Sequence, residues 1–533
     1  MEFLQYEKSQ NYIYLIDMLG RVETISPRYI RIHGIKNSFT LPEENSFAAT
    51  YVENIRDKSR FFTLIPKNLV TQIDNGTLWG DIDQDLDQDI LIFTTNINNE
   101  FISKCTDSGL CIALGQYTKQ IYNYFLGFTQ FNLVSNVKKI SEYSANGFLY
   151  QISYEHDGYT AKSILKSSKI GSADNLLYEY LVGQYINKQC LIFPCFIQTY
   201  GWFKYKTERF WEQMSDGDGR ITSEKLTLGM TKGEDELKTI PKTNHCFRDK
   251  KDKSSQRRCT KLETLLGFAC TNSKYLAILI ENVEGKTLKS KMIDSPPFVS
   301  NDLLYVLYQV YMPLATLADE YTHYDLHTSN VLVYELDGGK YINYRYEYTD
   351  GSIVEFKSKY IAKIIDYGRS YFNDSQNDDI SGSSTKIYKN ICDNVNDCTY
   401  QQRFCGEIYG FLPLSKSNTN YVRSSIGNVS YDLLLLKRVS KLVKDVGITV
   451  TQEIKNFIKV ESEEESQEKY RNTDPNKIEN IFDAHNVLRK LVIEKYDANN
   501  ANYDEFEALA SLTIYESRRP MEFTLKTRGN LSL

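Results

Sequence analysis

The chain has few prolines and no strong excess of charge of either sign. Only 11 of its 533 residues are proline, and 63 Lys and Arg residues stand against 69 Asp and Glu residues, for a net charge of −6. A charge so close to balance does not predict nucleic acid as an overall partner. The sequence also lacks an apolar run of about 18 residues, the length that crosses a bilayer, so no membrane span is expected.

Cysteine pairs of the C-x-x-C type are also absent, although the chain has ten cysteines. This absence argues against a zinc ribbon and predicts mostly reduced, buried thiols in a cytosolic setting. For Cys392, Cys398 and Cys405 we expect free thiols or a local disulfide, and not zinc ligands. The first residues, MEFLQYEKSQNY, lack the charged and apolar regions of a secretory signal, so none is expected.

A length of 533 residues gives room for two to four domains. The composition is that of an ordinary globular protein, because 41% of the residues are hydrophobic and 25% are charged. Within the first part, five aspartates alternate along DIDQDLDQDI, residues 81–90. On a strand they would share one face and could bind Ca²⁺. The glycine and the final Glu of an EF-hand loop are missing, however, so a solvated acidic loop is favoured.

A candidate catalytic loop lies between a predicted helix, with apolar residues three and four apart over 303–314, and a predicted strand, Val331–Val333. Between them, His323, Asp325 and Asn330 have the spacing H-x-D-x-x-x-x-N. A carboxylate that orients an attacking hydroxyl, followed five residues later by an amide oxygen that can hold Mg²⁺, suits phosphoryl transfer.

A second motif strengthens this interpretation. In Ile364–Gly368 an apolar strand is predicted to deliver Asp366, followed by an aromatic residue and by a glycine that lets the backbone turn. Each Asp alone is as readily explained as a helix cap or a turn residue. The two motifs in this order, each beside a strand, favour the phosphoryl-transfer reading.

These motifs give the sequence its resemblance to the protein-kinase superfamily. HYDLHTSNVLVY and KIIDYGRSYF resemble the divergent serine/threonine-type kinases of large DNA viruses, from about residue 137 to the C-terminus. The resemblance implies an α+β, two-lobed kinase-like fold, with an N-lobe over 137–290 and a C-lobe over 291–533. Residues 1–136 are then an N-terminal extension of unknown fold.

The resemblance also assigns roles in the predicted N-lobe. Gly147, in SANGFLYQI, stands in the position of the glycine-rich loop, of which only this glycine matches. Lys162, at the end of YTAK, resembles the lysine that holds the α- and β-phosphates, and Glu179, 17 residues later, resembles its ion-pair partner. Without the other motifs, a surface position for both side chains is the simpler explanation.

Further roles follow from the same likeness. The predicted strand Leu276–Ile280 leads into Glu281 and Val283, whose backbone groups would bind adenine. Asp325 would be the catalytic base, and Asn330 and Asp366 would bind Mg²⁺. His327 stands where protein kinases carry a lysine that supports the γ-phosphate. Asp432 resembles the buried Asp that braces the catalytic loop through backbone N–H groups, at the start of an apolar helix.

The sequence departs from ordinary kinases in several places. Tyr324 replaces the Arg of H-R-D, and no A-P-E motif follows Asp366. An insertion is expected over 206–261, with eight Lys or Arg residues in its second half, which is typical of a solvated loop or of a patch for an anionic partner. An extra hairpin is predicted over 341–360, and a last amphipathic helix over 478–492.

The resulting hypothesis is a Mg²⁺- and ATP-dependent serine/threonine protein kinase of a giant virus. It would act on protein hydroxyls, bind viral structural proteins through residues 1–136, and work in the host cytoplasm or virus factory, with packaging in the virion as an open question. A small-molecule kinase is one alternative, favoured by His327 and by the missing A-P-E motif. A pseudokinase that serves as an interaction or virion structural protein is the other. The poor glycine loop favours it, whereas the retained polar groups argue against it, since burying them without a ligand lowers stability.

Overall fold

The computed structural model divides the chain into two units, Met1–Ser108 and Gly109–Leu533, which we describe separately. The residues that the structure describes are 3–9, 12–17, 22–23, 65–66, 114, 117–141, 147–156, 159–168, 176–217, 219–233, 245–247, 256–258, 275–336, 339–390, 424–459 and 478–525.

The described part of the first unit is an antiparallel sheet. Its strands are β1 (Phe3–Ser9), β2 (Tyr12–Asp17), β3 (Val22–Glu23) and β4 (Ile65–Pro66). The central strand β2 pairs with each of the other three. The aspartates of 81–90 lie outside the described residues.

The second unit begins with eight strands, which are β5 (Val134–Ser141), β6 (Gly147–His156), β7 (Tyr159–Ser168), β8 (Thr199–Tyr205), β9 (Met230–Lys232), β10 (His245–Phe247), β11 (Gln256–Arg258) and β12 (Leu276–Glu281). Six of them form an antiparallel sheet with the order β5-β6-β7-β12-β8-β9. The other two, β10 and β11, form a separate short pair in the basic half of the expected insertion.

The hairpin β6–β7 forms the centre of this sheet. His156 is opposite Tyr159, which leaves a two-residue connection of the kind that Asp-Gly favours, although residues 157–158 themselves lie outside the described part. Register shifts in the β5–β6 pairing mark irregularities that bend and twist a sheet edge. The strand predicted over Leu276–Ile280 is confirmed as β12.

Helices cover this sheet. They are α1 (Tyr117–Tyr124), α2 (Leu176–Gln189), α3 (Glu208–Asp216) and α4 (Ser223–Gly229). The first half of the expected insertion is therefore folded: α3 buries Trp211 and Met214, and β9 completes the sheet. Threonine side chains cap α3 and α4, because Thr207 and Thr222 each accept a hydrogen bond from a backbone N–H of the first turn.

The rest of the unit is mainly helical. Its helices are α5 (Leu288–Asp294), α6 (Pro296–Asn301), α7 (Leu303–Thr316), α8 (Ser384–Asn390), α9 (Leu434–Val446), α10 (Gln452–Phe457), α11 (Ile481–Glu494) and α12 (Tyr496–Asn502). Every residue of α7 from Leu303 to Ala315 is buried, which explains its nearly continuous apolar sequence. The helices predicted over 303–314, after residue 430 and over 478–492 are confirmed as α7, α9 and α11.

Short sheets connect these helices. Their strands are β13 (Lys286–Thr287), β14 (Tyr321–Thr322), β15 (Val331–Glu335), β16 (Lys340–Glu347), β17 (Ile353–Ser358), β18 (Tyr360–Ile364), β19 (Tyr371–Phe372), β20 (Glu507–Tyr515) and β21 (Glu522–Leu525). The predicted extra hairpin is confirmed as β16–β17, with Gly351 at φ +80° in its turn. It belongs to a sheet of order β17-β16-β20-β21, in which β20 runs parallel to β16.

The chain is therefore an α+β protein. No helix among the residues described above combines the length and the apolar character that crossing a membrane requires. Cys190 and Cys195 are buried free thiols, as expected from the sequence. Cys392, Cys398 and Cys405 lie outside the described residues.

Candidate functional site

The loop between α7 and β15 carries His323, Asp325 and Asn330. The loop begins at the short strand β14, which pairs with β19. Tyr324 then takes the left-handed backbone conformation, at φ +64°. A tyrosine adopts this conformation only where its surroundings impose it, so the turn at Tyr324 is held by other contacts.

Asp432 provides those contacts. Its carboxylate is buried and accepts two backbone hydrogen bonds, from the N–H of His323 at 2.7 Å and from that of Tyr324 at 3.0 Å. Burial raises the pKa of Asp432 to about 7, although these two hydrogen bonds oppose the shift. The bracing contact expected for Asp432 is confirmed.

His323 joins this loop to the segment that carries Asp366. The backbone N–H of Asp325 can only donate, so Nδ1 of His323 accepts its hydrogen bond at 3.2 Å. Nε2 lies 3.0 Å from the carbonyl oxygen of Ile365, which can only accept, so the ring carries its proton on Nε2. Burial lowers the pKa of His323 to about 4, which keeps the ring neutral and in this tautomer near pH 7.

Asn330 makes a second connection between the two segments. Its side-chain amide donates to the carbonyl oxygen of Asp325 at 2.9 Å, which turns its Oδ1 away from that carbonyl. Its own backbone carbonyl accepts the N–H of Ile365 at 3.0 Å. Asp366 directly follows Ile365, so this backbone hydrogen bond places Asp366 next to Asn330. Both side chains have oxygen atoms that can bind a metal ion.

Lys166, on β7, forms the centre of a charged cluster. Its Nζ donates to both carboxylate oxygens of Glu179, at 2.9 and 2.8 Å, and to Oδ1 of Asp366 at 2.6 Å. Glu179 projects from the first turn of α2 and is only 2% exposed. Asp366 has a left-handed backbone, at φ +70°, and its side chain is 35% exposed. The cluster therefore connects β7, α2 and the segment after β18.

The charges of this cluster stabilise one another. Burial alone would lower the pKa of Lys166, but the carboxylates of Asp366 and Glu179 outweigh it and raise that pKa. Burial would likewise raise the pKa of Asp366, but the ammonium of Lys166 outweighs it and lowers that pKa. The lysine is thus protonated and Asp366 ionised near neutral pH.

The expected ion pair between Lys162 and Glu179 is wrong. Lys162 forms its ion pair with Glu284, and both side chains are more than a third exposed. Lys162 and Lys166 are four residues apart on β7, so they lie on the same face of the strand, and Lys166 is the one that reaches α2. Lys162 was predicted to be the phosphate-binding lysine because it ends the sequence YTAK. The burial that distinguishes Lys166 from Lys162 depends instead on how the strand packs against α2.

The segment expected to bind adenine begins at Glu281, the last residue of β12. The backbone N–H of Glu281 donates to the carbonyl oxygen of Gln198 at 2.9 Å. The Glu281 side chain is buried and accepts the N–H of Gln198 at 3.0 Å, with Nζ of Lys363 3.7 Å away. Burial raises the pKa of Glu281, and Lys363 opposes the shift. The carbonyl oxygen of Val283 accepts the N–H of Gly285 at 2.8 Å, in a tight turn.

Gly147 is the first residue of β6, where it is opposite Ser168. A Cβ at this position would clash with the carbonyl oxygen of Ser167, so the close approach of β6 and β7 requires glycine here. The expected glycine-rich loop, residues 144–152, is only partly described: residues 147–152 belong to β6, and residues 144–146 lie outside the described part of the chain.

His327 lies near the carboxylate of Asp325. Its Nδ1 accepts the backbone N–H of Ser329 at 3.1 Å, and its Nε2 lies 3.8 Å from Oδ1 of Asp325. Burial lowers the pKa of His327, against the raising effect of Asp366. The ring is therefore mostly neutral near pH 7, with its proton on Nε2, towards Asp325.

A protonated lysine beside carboxylate and amide oxygens is an arrangement that suits a charged, oxygen-rich ligand. Within the described ranges no three His, Cys, Asp or Glu side chains are grouped as a metal site. A cation at Asn330 and Asp366 would need further oxygen ligands, which suits Mg²⁺, since this ion is usually held by one or two protein groups together with phosphates.

The sequence did not identify Lys166, and only its place on the same strand face as Lys162 could have indicated it. No protein-family model and no curated protein matches this chain.

Proposed function

We propose that residues 137–533 form a two-lobed protein-kinase-like domain that transfers the γ-phosphate of ATP to Ser or Thr hydroxyls of proteins. The observation that carries the proposal is the connection between two sets of polar groups. One set is Lys166 with its two carboxylate partners. The other is Asp325 with Asn330, and the backbone of Ile365 joins the two sets.

Each group suits a part of phosphoryl transfer. Lys166, held by Glu179, would contact phosphate oxygens, and it takes the role first expected of Lys162. Asn330 and Asp366 would hold Mg²⁺. Bound Mg·ATP supplies the phosphoryl group and neutralises its charge. Asp325 would accept the proton of the substrate hydroxyl as the new O–P bond forms and the bond to ADP breaks.

A small-molecule kinase is the second candidate, and His327 favours it. Its neutral ring lies beside Asp325 and can donate a hydrogen bond from Nε2, whereas the lysine of ordinary protein kinases brings a full positive charge. Transfer by the purified protein to small hydroxyl compounds, with none to itself or to a basic test protein, would favour this candidate. The viral family, the binding of viral structural proteins by residues 1–136, and action in the host cytoplasm or virus factory remain proposals that rest on the sequence resemblance.

Two carboxylate substitutions test the proposed roles. Asp325→Asn should lower the rate of phosphate transfer by about 10²-fold or more and leave Mg·ATP binding nearly intact, because its loss affects the transition state. Asp366→Asn should remove both, since it also weakens ground-state binding through the metal. The measurements are the autophosphorylation rate and the ATP-induced thermal shift. Asp504→Asn, at an exposed position, is the matched control.

Three results would contradict the proposal. If the wild-type protein shows no thermal shift with Mg·ATP, the nucleotide site is wrong. If it binds Mg·ATP and transfers phosphate to no protein or small molecule, the pseudokinase alternative takes its place. Full transfer activity in Asp325→Asn would remove Asp325 from the catalytic role.

A further inference from the structure

Glu179 lies in the first turn of α2, so the position of this helix sets the position of the Glu179 carboxylate. The preceding residue, Tyr178, connects α2 to a segment that is distant in the sequence. The Tyr178 side chain is 1% exposed. Its hydroxyl donates to the backbone carbonyl oxygen of Ser370 and lies 2.7 Å from Oγ of Ser384. These two serines follow Asp366 by 4 and 18 residues, so the contact joins α2 to the chain that continues from the site.

The direction of these hydrogen bonds is fixed by their partners. The backbone N–H of Phe372 donates to Oγ of Ser384 at 2.8 Å. The hydroxyl of Tyr178 already donates to Ser370, so Ser384 donates its own hydroxyl proton to Tyr178. The hydroxyl protons of Tyr178 and Ser384 thus each have an acceptor, and both side chains are buried.

Ser370 also contacts the start of the loop that carries Asp325. Its Oγ lies 3.3 Å from the carbonyl oxygen of His323 and 3.2 Å from the hydroxyl of Tyr321. A second tie lies at the other end of α2, where Nζ of Lys188 contacts Oδ2 of Asp374 at 2.6 Å. The segment 370–384 thus contacts both ends of α2, and Tyr178 lies at the end that carries Glu179.

We propose that Tyr178 is a positioning residue, whose hydroxyl couples the segment 370–384 to α2 and so holds Glu179 against Lys166. The catalytic consequence rests on the proposed function, whereas the position of Glu179 can be measured without nucleotide.

The test is the reactivity of Lys166 toward acetylation. The full chain, without nucleotide, is treated with an amine-reactive acetylating reagent, and the acetylated lysines are quantified by mass spectrometry. In the wild type, Lys166 should react slowly, because Nζ is protonated and bonded to two carboxylates. In Tyr178→Phe its rate should rise several-fold, as the first turn of α2 opens more often. Lys490, which is 77% exposed, is the internal reference.

Two further variants keep this test decisive. Tyr496→Phe removes the hydroxyl of a 43% exposed tyrosine and should leave the rate at Lys166 unchanged. Ser384→Ala removes the donor to Tyr178 and should raise that rate, and it serves as the test if thermal melting shows that Tyr178→Phe is unfolded. A folded Tyr178→Phe or Ser384→Ala protein that keeps the wild-type rate at Lys166 overturns the inference.

Activity gives a separate readout. If the wild type transfers phosphate, Tyr178→Phe should lower kcat more than it weakens ATP binding, because a displaced Lys166 would orient the α- and β-phosphates less well for transfer of the γ-phosphate. Wild-type protein without ATP binding or transfer would refute the proposed function, and the labelling result would still decide the role of Tyr178.

Discussion

At the scale of single residues, two lysines on one strand show what sequence can and cannot assign. Lys162 and Lys166 have the same residue type and lie on the same face of β7. Local sequence favoured Lys162, but only Lys166 contacts Glu179. Alternation along a strand predicts the face, whereas which of two equivalent positions reaches a helix depends on how that helix packs.

Substituting each lysine separately checks this assignment. Lys166→Met should weaken Mg·ATP binding and lower the transfer rate by about 10²-fold, the scale for losing one preorganised charge at a transferring group. It should also lower the melting temperature, because Glu179 is left buried and without this cation. The matched Lys162→Met, at an exposed ion pair, should change stability by less than about 1 kcal/mol. Nucleotide titrations and thermal melts measure both effects. A larger loss of ATP binding in Lys162→Met than in Lys166→Met would restore the original assignment.

At the scale of elements, α11 packs on α7 through a buried histidine. His485 Nε2 lies 2.8 Å from the hydroxyl of Tyr348, which is also bonded to the hydroxyl of Tyr308 on α7. Burial lowers the pKa of His485 to about 4, Arg489 lowers it further, and Glu516 opposes the shift. The contact between these helices thus depends on a neutral ring.

This contact predicts a specific pH dependence of stability. The pKa of His485 is lower in the folded chain than the ordinary value of 6.5, so its stabilising contribution is complete above about pH 6.5 and is lost as the pH falls toward 4. His485→Gln keeps a hydrogen-bonding side chain but does not titrate. Between about pH 7 and pH 4.5 the wild type should lose on the order of 2 kcal/mol more unfolding free energy than this variant. Urea unfolding at both pH values measures the difference. Equal losses in the two proteins would show that His485 does not stay neutral on folding.

Elements with a strong local pattern were predictable, and the long-range pairing of strands was not. The periodic helix α7, the hairpin β16–β17 and the strand β12 follow from apolar spacing and turn residues. The parallel pairing of β20 with β16 joins segments about 170 residues apart in the chain. No local pattern specifies such a partner, because a strand sequence reports which face is buried and not which strand lies beside it. The contact between Lys166 and Asp366 was unpredictable for the same reason, since these residues are 200 positions apart in the sequence.

At the scale of the whole molecule, the sequence and the structure give different starting points for the proposed kinase-like domain. The resemblance begins at about residue 137, whereas the second structural unit begins at Gly109. Of the residues between these two starting points, the structure describes 114 and 117–136, and Phe128 among them packs on the six-stranded sheet. Phe128 stacks on Tyr200 at 4.2 Å, and its carbonyl oxygen accepts the hydroxyl of Tyr154 at 2.6 Å. The segment before residue 137 therefore supplies part of the core around β6 and β8.

Two fragments compare these starting points. The fragment 109–533 should be soluble and unfold cooperatively, because it keeps the whole second unit. The fragment 137–533 lacks the buried Phe125, Phe128 and Phe131, and it cuts into β5. Losing each such aromatic side chain costs about 3–5 kcal/mol, so this fragment should aggregate or melt far below the longer one. Soluble yield, thermal melting and ATP-induced thermal shift are measured for both. Equal melting temperatures would show that residues 109–136 do not belong to the core, and that the domain begins where the resemblance does.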